Sequence, residues 1–269
     1  MTRGPAALLA AALAFGLAAC VRGGSPSAPP APTSLQVFAA SSLTNAFDAL
    51  AVEFELARPD VDVVLNFGAS QALRTQVQEG AQADVFASAN REEVLALAEA
   101  GLVDEQSIRT FAGNRLVVVL PPDNPAGISS LRDLARPGVR LIVADPAVPA
   151  GTYTLRALDS LAGDAAWGPA FRDSVLANVA SQEVTVRAVL AKVELGEADA
   201  GIVYRSDASR AARLLRLDIP PGNNPLAEYP MAVLLQSPHA ALAQAFVDFV
   251  LSDDGQLILE SYGFLPATD

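Results

Sequence analysis

A single lysine, a single histidine and a single cysteine stand among 269 residues, and each scarcity removes a class of chemistry. Lys192 has no GxxxxGK[ST] around it, so neither a P-loop nor a Schiff-base lysine is supported. One histidine, His239, and one cysteine, Cys20, cannot assemble a zinc cluster. The lone thiol also excludes an internal disulfide. Basic charge is sparse: 18 Lys and Arg face 30 Asp and Glu, the formal charge is −12, and no basic run forms a stripe for a nucleic-acid backbone. Nucleic acid is therefore not an expected partner. What is abundant is apolar: 51% of the chain against 18% charged residues, the balance of a folded protein with a sizeable core. The length permits two domains of ordinary size.

The start, "MTRGPAALLAAALAFGLAAC", has a short basic head, an apolar run over residues 5–19 and small residues before Cys20. That run is shorter than the roughly 20 residues of a membrane span and reads as a signal peptide. "LAAC" resembles the lipobox of bacterial lipoproteins, which implies cleavage before Cys20 and lipidation of its thiol. The plain alternative is a secretory signal with an incidental cysteine. The Pro/Ser/Gly-rich segment after it has no apolar periodicity and reads as a tether over residues 20–34. The folded part is expected to begin near Leu35.

From there, short apolar β-branched runs alternate with helix-periodic segments: "LQVFAA", "VDVVLNF" and "ADVFASA" as strands, "SLTNAFDALAVEFELA", "SQALRTQVQEG" and "REEVLALAEAG" as helices. A second series follows with strands "RLVVVLP", "RLIVAD" and "AGIVYRS", helices "TYTLRALDSLAG" and "TVRAVLAKVELGEA", then strand "YPMAVLL" and two closing helices. Repeated βαβ predicts parallel sheets covered on both faces. Two such series predict an α/β protein of two Rossmann-like lobes with a central cleft, ligands sitting outside the carboxyl ends of the strands.

Four segments share one design, a strand end, a small-residue turn and a helix start: "FAASSLTN" with Ser41 and Ser42, "FGASQAL" with Ser70, "ADPAVPAGTYTL" with Ala150 and Gly151, and "SQEVTVRAV" with Thr185 and Val186. Unpaired N–H groups at helix starts favour negative charge, so several converging starts suit an anion. The plain alternative for each serine is N-capping. Tyr153 and Tyr204 fall in similar segments, where a tyrosine either packs or donates its hydroxyl to an oxyanion. "GASQA", residues 68–72, lacks the last glycine of a GxSxG nucleophile elbow. His239, after "QSP", reads as an exposed helix-start residue rather than a catalytic base.

Taken in order, "VFAASSLTNAF", "FGASQAL", "ADVFASA", "DPAVPAGTY", "AGIVYRSDA" and "EYPMAVLL" resemble the periplasmic molybdate-binding proteins of ABC importers over essentially residues 35–269. The resemblance implies the type II periplasmic binding protein fold, with lobes at residues 35–116 plus 229–269 and at 117–228. It implies a tetrahedral oxyanion, molybdate and also tungstate, held by Ser42 and Ser70 hydroxyls, backbone N–H groups of Ala150 and Val186, and the Tyr204 hydroxyl. Ser41 stands as a rival to Ser42, and Val184 to Val186. Molybdenum would be bound as the oxyanion through those residues, with no direct metal ligand and no cofactor. The implied partner is an importer permease. The implied location is extracytoplasmic, periplasmic or cell-surface, as a monomer tied to the membrane by its lipid alone and without enzymatic activity. Alternatives are a receptor for sulfate or iron, or a secreted serine hydrolase with Ser70 as nucleophile.

Overall fold

Strand periodicity sets the layers. In a strand, successive side chains point to opposite faces, and along the first strand Leu35, Val37 and Ala39 enter one core while Phe38 enters another on the far face. The computed structural model describes Met1 and residues 31–267. Cys20 and the signal segment lie outside the described residues. Among the described residues no helix is long and apolar enough to cross a membrane.

The strands in chain order are β1 (Thr33–Ala40), β2 (Val61–Gly68), β3 (Val85–Ala87), β4 (Arg109–Asn114), β5 (Leu116–Leu120), β6 (Leu141–Ala144), β7 (Val179–Glu183), β8 (Ala200–Tyr204), β9 (Leu215–Asp218), β10 (Ala227–Val233) and β11 (Leu265–Pro266). They form two sheets, ordered β11-β4-β10-β3-β1-β2 and β7-β6-β8-β5-β9. The helices are α1 (Thr44–Ala57), α2 (Ser70–Gln78), α3 (Arg91–Glu99), α4 (Pro149–Gly163), α5 (Ala170–Leu176), α6 (Val186–Glu194), α7 (Arg205–Arg210), α8 (Ala240–Leu251) and α9 (Asp253–Ser261).

The βαβ pattern predicts parallel sheets, and the structure corrects this: both are mixed. β1 is parallel to β2 and β3, and β6 to β7 and β8, but β10 is antiparallel to β3 and β4, and β5 to β8 and β9. The exceptions lie where the chain passes between sheets. Only Arg115 separates β4 from β5, which belong to different sheets, as do β9 and β10.

Helix α1 shows why its sequence is helical. Phe47, Leu50 and Phe54 recur at intervals of three and four and are fully buried. Phe47 and Phe54 meet Phe246 of α8 edge-on, with centroids 6.2 and 5.2 Å apart. Each such ring contributes about 1.5–3 kcal/mol of burial. The result is a rigid layer beneath the strand ends that the site uses.

Close backbone approach fixes the start of α4. A Cβ on Gly151 would sit 2.0 Å from the Asp145 carbonyl oxygen and 2.7 Å from that of Ala144, so the helix can press against the end of β6 only with glycine there. Gly151→Ala is expected to lower the unfolding free energy by about 1–3 kcal/mol. Gly163→Ala, on the same helix with nothing within 4 Å, is the control and stays within about 0.5 kcal/mol. Urea denaturation measures both; equal midpoints for the two variants would contradict the close approach.

Candidate functional site

The carboxyl ends of β1 and β2, the loop after β3 and the starts of α4 and α6 close on one small cavity. Its lining contains Ser41, Ser42, Ser70, Ala150, Val186 and Tyr204, with small residues Ala40, Gly68, Ala69 and Ala89 between them. Ser42, Ser70, Ala150, Val186 and Tyr204 are thus brought together from both sheets. Of the two rivals, Ser41 lines the same cavity, whereas Val184 does not line it and its side chain is 75% exposed.

The serines are not caps. The residue before the 3-10 turn Ser41–Leu43 is Ala40 and that before α2 is Ala69, and neither terminus has a side-chain cap. Capping at comparable ends is done elsewhere, by Asn90 for α3 and Thr185 for α6. Ser70 Oγ instead accepts from the Ala89 N–H at 3.1 Å. Ser42 Oγ lies 3.0 Å from the Tyr229 hydroxyl. Both serines are buried, at 5% and 1% exposure for Ser42 and Ser70. Ala150 is the second residue of α4 and Val186 the first of α6, positions whose N–H groups have no partner inside the helix.

Tyr204 is the sharpest feature. It is 1% exposed, and its hydroxyl has no hydrogen-bond partner. Burial, reinforced by Tyr229, Tyr153 and the Asp207 carboxylate, holds the phenol well above its ordinary value, so it stays protonated and able to donate. Leaving such a group unpaired costs about 1–3 kcal/mol. Tyr153 does not line the cavity; it packs edge-on against Tyr204 with centroids 6.5 Å apart.

No charged side chain lines the cavity. Glu183 is occupied by Lys192 at 2.6 Å and by Ser181, and Asp145 accepts from the Ala147 N–H at 2.8 Å. Arg187 places Nε 3.3 Å from Asp207 Oδ1 and 3.3 Å from the Ser41 carbonyl oxygen. Among the described residues no group of three or more His, Cys, Asp or Glu is placed to hold a metal ion. A larger groove runs between α1 and α9, lined by Asn45, Asp48, Glu53, Arg210 and Tyr262; it has mixed charge and no set of donors turned on one point, so size alone does not choose the site. His239 lies against Asp84, Nδ1 to Oδ1 3.5 Å, in a cavity with Ser34 and Gln36 near the start of β1. Ser70 sits beyond the opposite end of that strand.

Two residues that sequence reasoning does not single out stand behind the lining. Tyr229, on β10, is fully buried and reaches Ser42; Asn114, at the end of β4, sends Nδ2 to the Tyr229 hydroxyl at 3.4 Å and to Ser206 Oγ at 2.8 Å. The available signal was "EYP": a tyrosine before a proline in an interior strand. Pro230 has no N–H to donate, and the β4–β10 register shifts at Tyr229/Pro230, as a bulge permits.

A two-sheet α/β molecule with a small donor-lined cavity between the sheets is the architecture of a solute receptor. The model of the family described as "Bacterial extracellular solute-binding protein" matches residues 35–265. The chain belongs to that family, and within it stands with the molybdate-binding proteins. The molybdate-binding protein ModA of Mycobacterium tuberculosis strain H37Rv is 38% identical over 262 residues, covering 96% of this chain and 95% of the relative. Among solved structures, the sulfate-binding protein SubI of M. tuberculosis H37Rv superposes with TM-score 0.78 at 23% identity, covering 87% of each chain. The Azotobacter vinelandii periplasmic molybdate-binding protein superposes with TM-score 0.76 at 21% identity, covering 87% of this chain and all of that one. Both carry the type II periplasmic binding protein fold to this chain.

Asp207, in the first turn of α7, is fully buried, and its carboxyl is raised to about 7, by burial first and against the opposing Arg187 charge. The folded value lies above the ordinary 3.8, so the stability tied to this group is complete below about pH 4 and is lost as pH rises through 7. Asp207→Asn removes that loss. Relative to the unmodified protein, its unfolding free energy should rise by on the order of 2–4 kcal/mol between pH 4 and pH 8. Urea titrations across that range provide the measurement, and parallel pH profiles for the two proteins would refute the assignment.

Proposed function

We propose that the protein is an extracytoplasmic receptor that binds molybdate, and also tungstate, between its two lobes and delivers it to an ABC importer permease. The observation that carries this reading is the buried, partnerless Tyr204 hydroxyl in a lining without charged side chains. A tetrahedral dianion supplies the acceptor that this donor lacks. Ser42, Ser70 and Tyr204 hydroxyls and the Ala150 and Val186 N–H groups are its ligands; molybdenum is bound through oxygen and not by the protein. The lobes comprise residues 35–116 with 229–269, and 117–228.

Neutral donors suffice on energetic grounds. A dianion entering a closed cavity gives up its water hydrogen bonds and must have them replaced. Five hydrogen bonds to a charged acceptor, at about 1.5–3 kcal/mol each, are of the required order without a cation. The same lining selects by protonation. Fully ionised molybdate accepts at every oxygen, whereas hydrogen phosphate carries an O–H that needs an acceptor, and the carboxylates of Glu183 and Asp145 are turned to other partners. Sulfate is fully ionised too and is distinguished only by size.

We also propose that the protein acts by binding alone. The lone histidine and Ser70 sit at opposite ends of an eight-residue strand, roughly 25 Å apart along it, which leaves the serine without a base. Lipidation of Cys20 as the sole membrane attachment, with a monomeric body, completes the picture.

Isothermal titration with molybdate, tungstate, sulfate and phosphate tests the central claim. Molybdate and tungstate should bind far more tightly than the other two, and sulfate binding as tightly as molybdate would overturn it. Ser42→Ala should weaken molybdate binding about ten- to a hundredfold; an unchanged affinity in the folded variant removes Ser42 from the ligand set. Cys20→Ala should move the protein from the membrane to the soluble fraction of cells.

A further inference from the structure

A serine hydroxyl can face a ligand with its proton or with its lone pairs, and only the first suits an oxyanion. The buried network behind Ser42 settles which. Asn114 is fully buried. Its Oδ1 accepts the Arg115 N–H at 2.9 Å, which fixes the side-chain amide so that Nδ2 faces Tyr229 and Ser206. The Tyr229 oxygen therefore accepts a hydrogen bond from Asn114 Nδ2. If Ser42 also donated to Tyr229, the phenol's own proton would have only the neighbouring Tyr204 hydroxyl to turn to, and that group makes no hydrogen bond in the structure. With Tyr229 donating to Ser42 Oγ, every group is satisfied, and the Ser42 proton is left to point into the cavity. Ser70 is set the same way by a backbone group, because the Ala89 N–H already occupies an Oγ lone pair.

We propose that Asn114 and Tyr229 are positioning residues: a directed chain, Arg115 N–H to Asn114, Asn114 to Tyr229, Tyr229 to Ser42, holds the Ser42 hydroxyl as a donor and thereby sets the preference for unprotonated oxyanions. This inference rests on the oxyanion reading above and adds the source of its selectivity against hydrogen phosphate. It assigns a role to two residues that touch no ligand. It also gives a reason for a tyrosine at a bulge beside a proline, since the register shift at Tyr229/Pro230 is the local feature that accompanies the aim of that ring.

The chain can be reversed. In Asn114→Asp the atom facing Tyr229 becomes an acceptor, so the phenol donates to it, Ser42 donates to the phenol, and the serine lone pairs face the cavity. Molybdate affinity should fall about ten- to a hundredfold at pH 8, and the molybdate-to-phosphate affinity ratio should fall with it. Adding Tyr229→Phe removes the group that takes the Ser42 proton. The double variant should then bind molybdate at least about threefold more tightly than Asn114→Asp alone. A purely structural role, or repulsion by the added charge, predicts a double variant no better than the single one.

Isothermal titration of both ions into the unmodified protein and the variants, with far-UV circular dichroism as the folding check, reads these outcomes. Asn114→Asp binding molybdate as the unmodified protein does, or a double variant that binds no more tightly than the single one, overturns the inference. Should Asn114→Asp fail to fold, Tyr229→Phe alone decides: the molybdate-to-phosphate ratio should narrow severalfold, and an unchanged ratio overturns the inference. Failure of the unmodified protein to bind molybdate overturns the oxyanion reading and this inference with it, whereas normal binding there and an indifferent Asn114→Asp overturns the inference alone.

Discussion

Buried hydrogen-bond donors without acceptors are the constraint on which this structure turns. A folded chain ordinarily pairs its buried polar groups, yet here the Tyr204 hydroxyl has no partner and the first N–H groups of α4 and α6 open on the same small space. Small residues make the convergence possible. Ala40, Gly68, Ala69, Ala89 and Ala150 let four backbone segments approach one point, and Gly151 lets α4 press on the end of β6. Larger side chains at these places would fill the cavity with carbon and leave the donors without any acceptor.

The donors come from both sheets, so the cavity exists only while the sheets face each other closely. The direct links at its rim are weak. Glu92 on α3 and Arg156 on α4 pair at 2.7 Å with about half of each side chain exposed, a setting that contributes about 0–1 kcal/mol. Arg187 reaches the Ser41 carbonyl at 3.3 Å, a long contact. Covalent continuity is firmer: only Arg115 lies between β4 and β5, and the Asn224 side chain grips both the N–H and the carbonyl of Leu116. The geometry therefore joins the halves firmly at the strands and lightly at the rim. Clefts of this kind close by hinge motion around the ligand.

The alternation of strands and helices was legible in the sequence because apolar periodicity of 2 or 3.6 records which face is buried. It was least legible where burial is partial. β7 and β9 are the edge strands of their sheet, and their residues are largely half-buried or exposed, so they carry no apolar run to read. The antiparallel pairings of β5 and β10 escaped for another reason, since pairing is a long-range fact that a local pattern does not contain. The site divides in the same way. Small-residue turns at strand ends marked where helix starts gather, but a backbone N–H has no side-chain signature, and Ala150 and Val186 became visible only through resemblance to a family. The contacts that orient Ser42 join residues 187 and 115 positions apart, and no spacing rule within one sequence links them.

Hydrogen bonding and size act at different levels of selectivity. A donor-only lining separates ions that still carry a proton from those that carry none, because a misplaced O–H leaves an unpaired polar group costing about 1–3 kcal/mol. It does nothing to separate two fully ionised tetrahedral dianions, each of which accepts at every oxygen. Between sulfate and molybdate only the distance between opposing donors remains, and that distance is a property of the backbone. It is set by how far α4 can advance on β6, which Gly151 limits, and by how closely Ser42 and Ser70 approach from the other sheet, which the packing of Phe47, Phe54 and Phe246 beneath β1 supports. Discrimination by proton thus resides in the donors of the lining, while discrimination by radius resides in the two cores.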